Sequence, residues 1–185
     1  MYNSRYQNFI SGVTVIQSRG SYNPMNLLFE SSRIGYSIST NAPGDIHTSG
    51  WGLSADYMMP RNFTFSASIY TDEIGSLPRG FISYFNTPLF RANFAINNSG
   101  FLFKNRLGFG ANLHYQDDFI YEGTFVVGKI NSYQTIDAVL TYKVPSVKSL
   151  IKVGGTNILN KYYTTAFGSP SIGGLYYVSF AYNIL

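Results

Sequence analysis

The residues from Gly173 to Leu185 alternate without a break: Tyr176, Val178, Phe180, Tyr182 and Ile184 fall on one side of an extended chain, Tyr177, Ser179, Ala181 and Asn183 on the other. The first set is apolar or aromatic throughout and the second mostly small or polar, so this strand must meet a different environment on each face. The same period of two recurs upstream. Trp51, Leu53, Ala55, Tyr57 and Met59 alternate with Gly52, Ser54, Asp56 and Met58, and Phe63, Phe65, Ala67 and Ile69 with Thr64, Ser66, Ser68 and Tyr70. Phe90, Ala92, Phe94 and Ile96 flank Arg91, Asn93 and Ala95; Ile136, Ala138, Leu140, Tyr142 and Val144 flank Asp137, Val139, Thr141 and Lys143; Ile151 and Val153 flank Lys152 and Gly154. Residues 101–116 are predicted as one long strand, with Phe101, Phe103, Leu107, Phe109, Ala111, Leu113 and Tyr115 on one side and only Asn105 out of character.

A soluble sheet would bury its apolar phase against a second layer. The composition points elsewhere. Of 185 residues 12% are charged and 17% aromatic, against about 25% charged in a typical soluble domain, which suits a surface shown to lipid. Mean hydropathy is −0.02, and no run approaches the ~18 apolar residues of a spanning helix. Transmembrane β-strands hide their hydrophobicity in this way, because each lipid-facing residue is followed by one facing the lumen. The aromatic-rich strand that closes the polypeptide fits the same class.

The net charge of +4 comes from scattered Lys and Arg rather than a cluster, which argues against a nucleic-acid partner. Absence of cysteine excludes a disulfide framework and a thiolate site. The first eight residues carry neither a basic n-region nor an apolar h-region. The expectation is therefore a mature form or a piece of a longer outer-membrane protein.

Turn-forming residues mark short connections at 60–62, 97–100 and 145–149, and long ones at 12–32, 72–87, 117–131 and 161–173. This short and long alternation matches periplasmic turns and extracellular loops, and predicts about eight antiparallel strands that start and end on the periplasmic side. The apolar phase changes between Tyr36/Ile38 and Trp51/Leu53, so a bulge or extra turn is expected across 41–45. The lumen-facing wall is predicted to carry Asp56, Arg91, Lys104, Arg106, Asn112, His114, Lys143 and Lys152. Its basic residues outnumber Asp56 and Asp137, an excess that a closed, narrow interior could not pair. Inward glycines such as Gly52, Gly108, Gly110 and Gly154 leave room rather than fill it. Both features favour one wall of a wide lumen over a self-filled small barrel.

Several stretches carry a resemblance. Residues 2–10, Phe85-Asn86-Thr87-Pro88 followed by Arg91 and Asn93, and above all 135–142, 155–163 and 168–178 follow the order and spacing of one family. In these the chain, over 1–185, resembles the C-terminal β-barrel portion of a TonB-dependent outer-membrane receptor of the Bacteroidetes type. The resemblance implies an all-β fold, a transmembrane antiparallel segment forming about the last third of a barrel of about 22 strands, with the plug domain absent. It implies energised uptake of a scarce nutrient in the cell outer membrane of a Gram-negative bacterium. The partners implied are outer-membrane lipid, the rest of the barrel and its plug, TonB acting through that plug, and the barrel-assembly machinery, which would read the final strand of Tyr176, Val178, Phe180, Tyr182 and Ile184. The alternative is a complete eight-stranded barrel with a structural or adhesive role; a soluble sandwich or lipocalin-like binder is the third reading.

Site chemistry is sparse. His47 and His114 lack ligand-spaced partners, Asp72-Glu73 and Asp117-Asp118 read as solvated loop carboxylates, and Gly108-Phe109-Gly110 lies within a strand rather than before a helix. No nucleophile arrangement, cofactor or metal is expected, and no enzyme activity. Tyr121, Phe125, Tyr162, Tyr163 and Phe167 sit in or beside long loops. They are read as interfacial anchors or as ligand contacts.

Overall fold

A computed structural model describes residues 6–9, 13–17, 25–38, 44–75, 77, 79–80 and 82–182, with side chains described from Thr48 onward. The chain forms β1 (Tyr6–Phe9), β2 (Val13–Gln17), β3 (Met25–Ile38), β4 (Gly44–Met59), β5 (Phe63–Ile74), β6 (Phe90–Leu102), β7 (Leu107–Gln116), β8 (Phe119–Glu122), β9 (Val127–Ile130), β10 (Tyr133–Val144), β11 (Ser149–Thr156) and β12 (Leu175–Tyr182). All but β8 and β9 make one antiparallel meander in the order β1, β3, β4, β5, β6, β7, β10, β11, β12, with β2 also on β3. Strands β8 and β9 pair only with each other.

The first two strands act as one. Tyr6–Phe9 pairs with Tyr36–Arg33 and Val13–Gln17 with Glu30–Asn26, so both run along the same edge of β3 with a one-residue offset between them. This overturns the long connection expected at 12–32. The apolar run from Met25 to Phe29 joins a ladder of unbroken register from Met25↔Tyr57 to Ile38↔Gly44. Gly44 and Asp45 already belong to β4; the rest of the bulge expected at 41–45 lies outside the described residues, as do Tyr2 to Arg5, Ile10 and Ile184.

With β1 and β2 counted together the described residues make nine staves, close to the eight or so expected. In an antiparallel meander an odd count makes the first and last staves run in the same direction. Strand β1 therefore starts at the end opposite to the one where β12 finishes, whereas the alternation predicts a common side. Among the described residues no ladder joins β12 to β1 or β2.

From the β4–β5 turn onward connections alternate as the sequence implies. One end of the sheet carries 60–62, 103–106 and 145–148; the other carries 75–89, 117–132 and 157–174. The second tight turn is displaced. Phe101 and Leu102 finish β6, and the chain reverses through Phe103, Lys104 and Asn105, all with positive φ (51°, 59° and 62°). Residues 97–100, expected as the turn, form a bulge instead, with the register shifting between Asn98 and Leu102. The Asn98 side chain explains it. Its amide donates to Arg61 O at 2.8 Å and its oxygen accepts from Gly100 N at 2.7 Å, so it takes over ladder bonds that the extra residues would leave open. Lys104 and Arg106 consequently lie exposed in the turn and are not wall residues.

Paired residues across the ladders separate two faces. Tyr57, Phe65, Ile96, Ala111, Ala138 and Tyr176 make one row of the apolar face, and Met59, Phe63, Asn98, Phe109, Leu140, Val153 and Val178 the next. Among the described residues nothing covers this face. Ala92, Ile130 and Pro88 are the apolar side chains buried among the described residues, while Leu140 is 57% and Val178 75% exposed. A sheet with this much apolar surface and no second layer has no core of its own.

Candidate functional site

The polar face is built from the alternate positions of the same strands. Three rows cross it near the long-connection end: Gly52, Tyr70, Arg91, Gln116 and Tyr133; Ser54, Ser68, Asn93, His114 and Thr135; Asp56, Ser66, Ala95, Asn112 and Asp137. Register thus places Asp56, Arg91, Asn112 and His114 together, as the alternation predicts, with Lys152 beside Thr141 and Lys143 beside Leu150 on the same face nearer the turns. Lys143 reaches Ser99 O at 2.8 Å.

The expected excess of positive charge is absent from the described part of this face. Arg91, Lys143 and Lys152 stand against Asp56, Asp137 and Asp72, the last placed there by its pairing with Gly50. Lys104 and Arg106 have left for the turn, and Arg91 forms an ion pair with Asp72 while lying 6.0 Å from the Tyr70 ring centroid. The described wall thus carries balanced charge, which by itself does not call for a wide lumen.

His114 is the centre of a hydrogen-bonded cluster on this face. Its Nδ1 stands against Asn93 Oδ1, and its Nε2 lies 3.1 Å from Asp137 Oδ2 and 2.9 Å from the Asn112 amide. Asp137 Oδ1 in turn accepts the Asn157 N–H at 2.8 Å. Asn157, 3% exposed and with φ of 46°, bonds Lys161 through both ends of its amide at 2.8 and 3.2 Å. A carboxylate of the polar wall thereby anchors the base of the last long connection. Arg91, Asn93, His114, Tyr133, Asp137 and Tyr163 border a polar cavity of about 460 Å³ at this point. Two buried atoms beside it, Arg91 Nε and Asn112 Oδ1, have no protein partner.

The loop aromatics separate into groups. Tyr163 stacks on Tyr133 at 4.1 Å between ring centroids and 26° between planes, and Tyr121 packs on Phe167 at 5.8 Å. Gly128 makes the second contact possible, since a Cβ there would come within 2.6 Å of the Phe167 ring. Tyr162, Tyr163 and Phe167 border a second cavity of about 420 Å³ with Lys129 and Tyr133. Phe125 stands apart at the tip of the β8–β9 hairpin, 99% exposed. Gln116 and Asn93 join the cluster from the polar parity of their strands, and Tyr133, which the alternation does not single out, falls on the same face. Sequence reading left out the hairpin, whose signal was Phe119-Ile120-Tyr121 and Val126-Val127 around Gly123-Thr124.

No protein-family model matches the chain, and no curated protein does. Among solved structures the chain is similar to the ferric yersiniabactin uptake receptor FyuA from Yersinia pestis, with a TM-score of 0.62 and 14% sequence identity over 95% of this chain. The match spans 32% of the receptor chain. At that identity the likeness is one of fold: the meander of two-faced strands is arranged like part of that receptor.

Proposed function

We propose that the chain is a wall segment of a TonB-dependent receptor of the Bacteroidetes type, lying in the outer membrane of a Gram-negative bacterium and serving the uptake of a scarce nutrient. The observation that carries this reading is the uncovered apolar face combined with tight turns at one end of the sheet and long connections at the other. That combination suits a wall with lipid on one side, periplasm below and the cell exterior above. Similarity to about a third of a receptor chain, with motifs spread along this one, supports membership in a larger assembly.

On this reading the apolar rows contact lipid, and Asp56, Arg91, Asn112, His114, Lys143 and Lys152 face the lumen. Tyr121, Tyr162, Tyr163 and Phe167 are available to an incoming ligand at the mouth. The remaining barrel and plug complete the channel, TonB acts through the plug, and the assembly machinery reads the β12 end. The segment is not a transporter by itself. Unpaired strand edges in lipid leave backbone groups unsatisfied, at several kcal/mol each. The nine-stave count speaks against a complete small barrel, because closure would set two parallel staves side by side where bacterial barrels use even numbers.

Cysteine labelling on intact cells tests the topology. A membrane-impermeant maleimide should react with Thr124→Cys, at the hairpin tip, and not with Arg61→Cys, in a tight turn. Equal labelling of both, or labelling of Arg61→Cys alone, rejects the proposed orientation.

A further inference from the structure

Two of the long connections are fastened to each other through one residue. Glu122 ends β8, and its Oε2 accepts three hydrogen bonds from the β5–β6 connection: Ser83 N at 2.9 Å, Ser83 Oγ at 2.6 Å and Tyr84 N at 2.9 Å. The Glu122 backbone is held as well. Its N–H donates to Asn86 Oδ1 at 2.6 Å and its carbonyl accepts from Asn86 Nδ2 at 3.0 Å, so the Asn86 amide pairs with it as another strand would.

The donor loop is shaped for this contact. Tyr84 and Asn86 both have positive φ, 52° and 46°, and Ser83 Oγ also accepts the Phe85 N–H at 3.1 Å. Tyrosine rarely adopts the left-handed region, and here it is one of two consecutive residues whose N–H groups converge on one carboxylate oxygen. Two loops that merely touched would not need that conformation. Both sides of the joint are specific: a three-donor cradle for one carboxylate, and an amide matched to the backbone of the same residue.

We propose that Glu122 and Asn86 form a latch that joins the β5–β6 connection to the β8–β9 hairpin, so that the two move as one unit at the long-connection end of the sheet. The inference rests on the loop geometry and does not require the transport role. Charge-assisted hydrogen bonds to the carboxylate are stronger than neutral ones. The Asn86 pairing adds direction, because it fixes the hairpin lengthwise against the loop. An opening step at this end would displace both connections together, with release of Glu122 as the event that separates them.

The sequence has no cysteine, so Arg79→Cys and Thr124→Cys introduced into the full-length protein give one labelled pair within this chain, one label on each connection. Spin-label distances between them should be narrowly distributed. In Glu122→Ala/Asn86→Gly the distribution should broaden about twofold, while strand circular dichroism stays unchanged. A distribution equally narrow in the double variant overturns the latch. If the double variant fails to fold, Glu122→Gln keeps the shape and removes the charge. Amide exchange at Ser83 and Tyr84 should then quicken about tenfold, and unchanged exchange at both overturns the proposal.

Discussion

Strand β7 presents Phe109, Ala111, Leu113 and Tyr115 on one side and Gly108, Gly110, Asn112 and His114 on the other, and the two sides obey different rules. On the apolar side neighbours meet through rings and aliphatic groups: Phe63 and Phe101 each stand edge to face with Phe109, at 6.0 and 5.6 Å, and lie tilted to each other at 6.2 Å. Polar-side neighbours bond across strands, from Ser54 to Tyr70, Ser68 to Asn93 and His114 to Asp137. The apolar face is thus defined by what it must exclude, and the polar face by what it must connect. A substitution on the first should be judged by hydrophobicity, and one on the second by geometry.

Adjacent positions on β5 separate these rules most strongly. Phe65 lies on the apolar face and Ser66 on the polar one, paired with Asp56 and Ala95. Phe65→Arg should cost about 2–4 kcal/mol if that face meets hydrocarbon near the bilayer midplane, whereas Ser66→Arg should stay within about 1 kcal/mol. Denaturant unfolding of the full-length protein in lipid vesicles measures both. Equal losses would abolish the distinction between the faces.

How far the sequence discloses these rules depends on how local they are. Parity is local, so Trp51, Phe65, Phe94, Leu140 and Phe180 fall together on one face, and Arg91, Asn112 and His114 on the other, as alternation alone implies. The β6–β7 turn was misplaced because Asn97-Asn98-Ser99-Gly100 is richer in turn residues than Phe103-Lys104-Asn105-Arg106. The Asn98 amide uses those residues to build a bulge, and the bulge depends on Arg61 in the previous turn. Ser83 and Glu122 are 39 residues apart, and no spacing rule links them. Loop-to-loop contacts of this kind become visible only once the ladders have brought the connections side by side.

Glycines on the polar face sharpen the comparison at a middle magnitude. The sequence presents Gly108 as room for a lumen, but the structure gives it a backbone reason: a Cβ there would stand 2.5 Å from Asn98 O and 2.7 Å from Thr141 Oγ1. Gly108→Val should destabilise by about 1–3 kcal/mol through displacement of the bulge. If unfolding in vesicles shows no loss, the glycine marks space alone and the polar face is less constrained than the bonds suggest.

Smaller still is the contribution of the Tyr133–Tyr163 stack, which ties the polar face to the last long connection. Tyr163→Leu should remove about 0.5–1.5 kcal/mol and raise the exchange rate of the Tyr163 and Ile172 amides, which bond each other's carbonyls at 3.2 and 2.8 Å. A change in Tyr133 fluorescence environment without faster exchange would confine the stack to a surface contact.

The smallest effect concerns the loops above both faces and is set by protonation. The Ser83 hydroxyl holds the Glu122 carboxyl below its ordinary value of 4.5, opposed by partial desolvation and aided by the Tyr84 and Ser83 N–H groups. A depressed carboxylate contributes stability that is present above its unfolded value and is lost as pH falls through the lower folded value. The loop-to-loop distance should therefore stay narrow from neutral pH down to about 4.5 and broaden only below it, whereas the Asp118–Lys129 pair, at 3.0 Å on the same hairpin, spans no such joint. In Glu122→Gln the acid-induced broadening should vanish, because the group that titrates is gone. Broadening that persists in that variant at the same pH would assign the acid sensitivity to the sheet beneath, and the loops would then follow the polar face rather than their own latch.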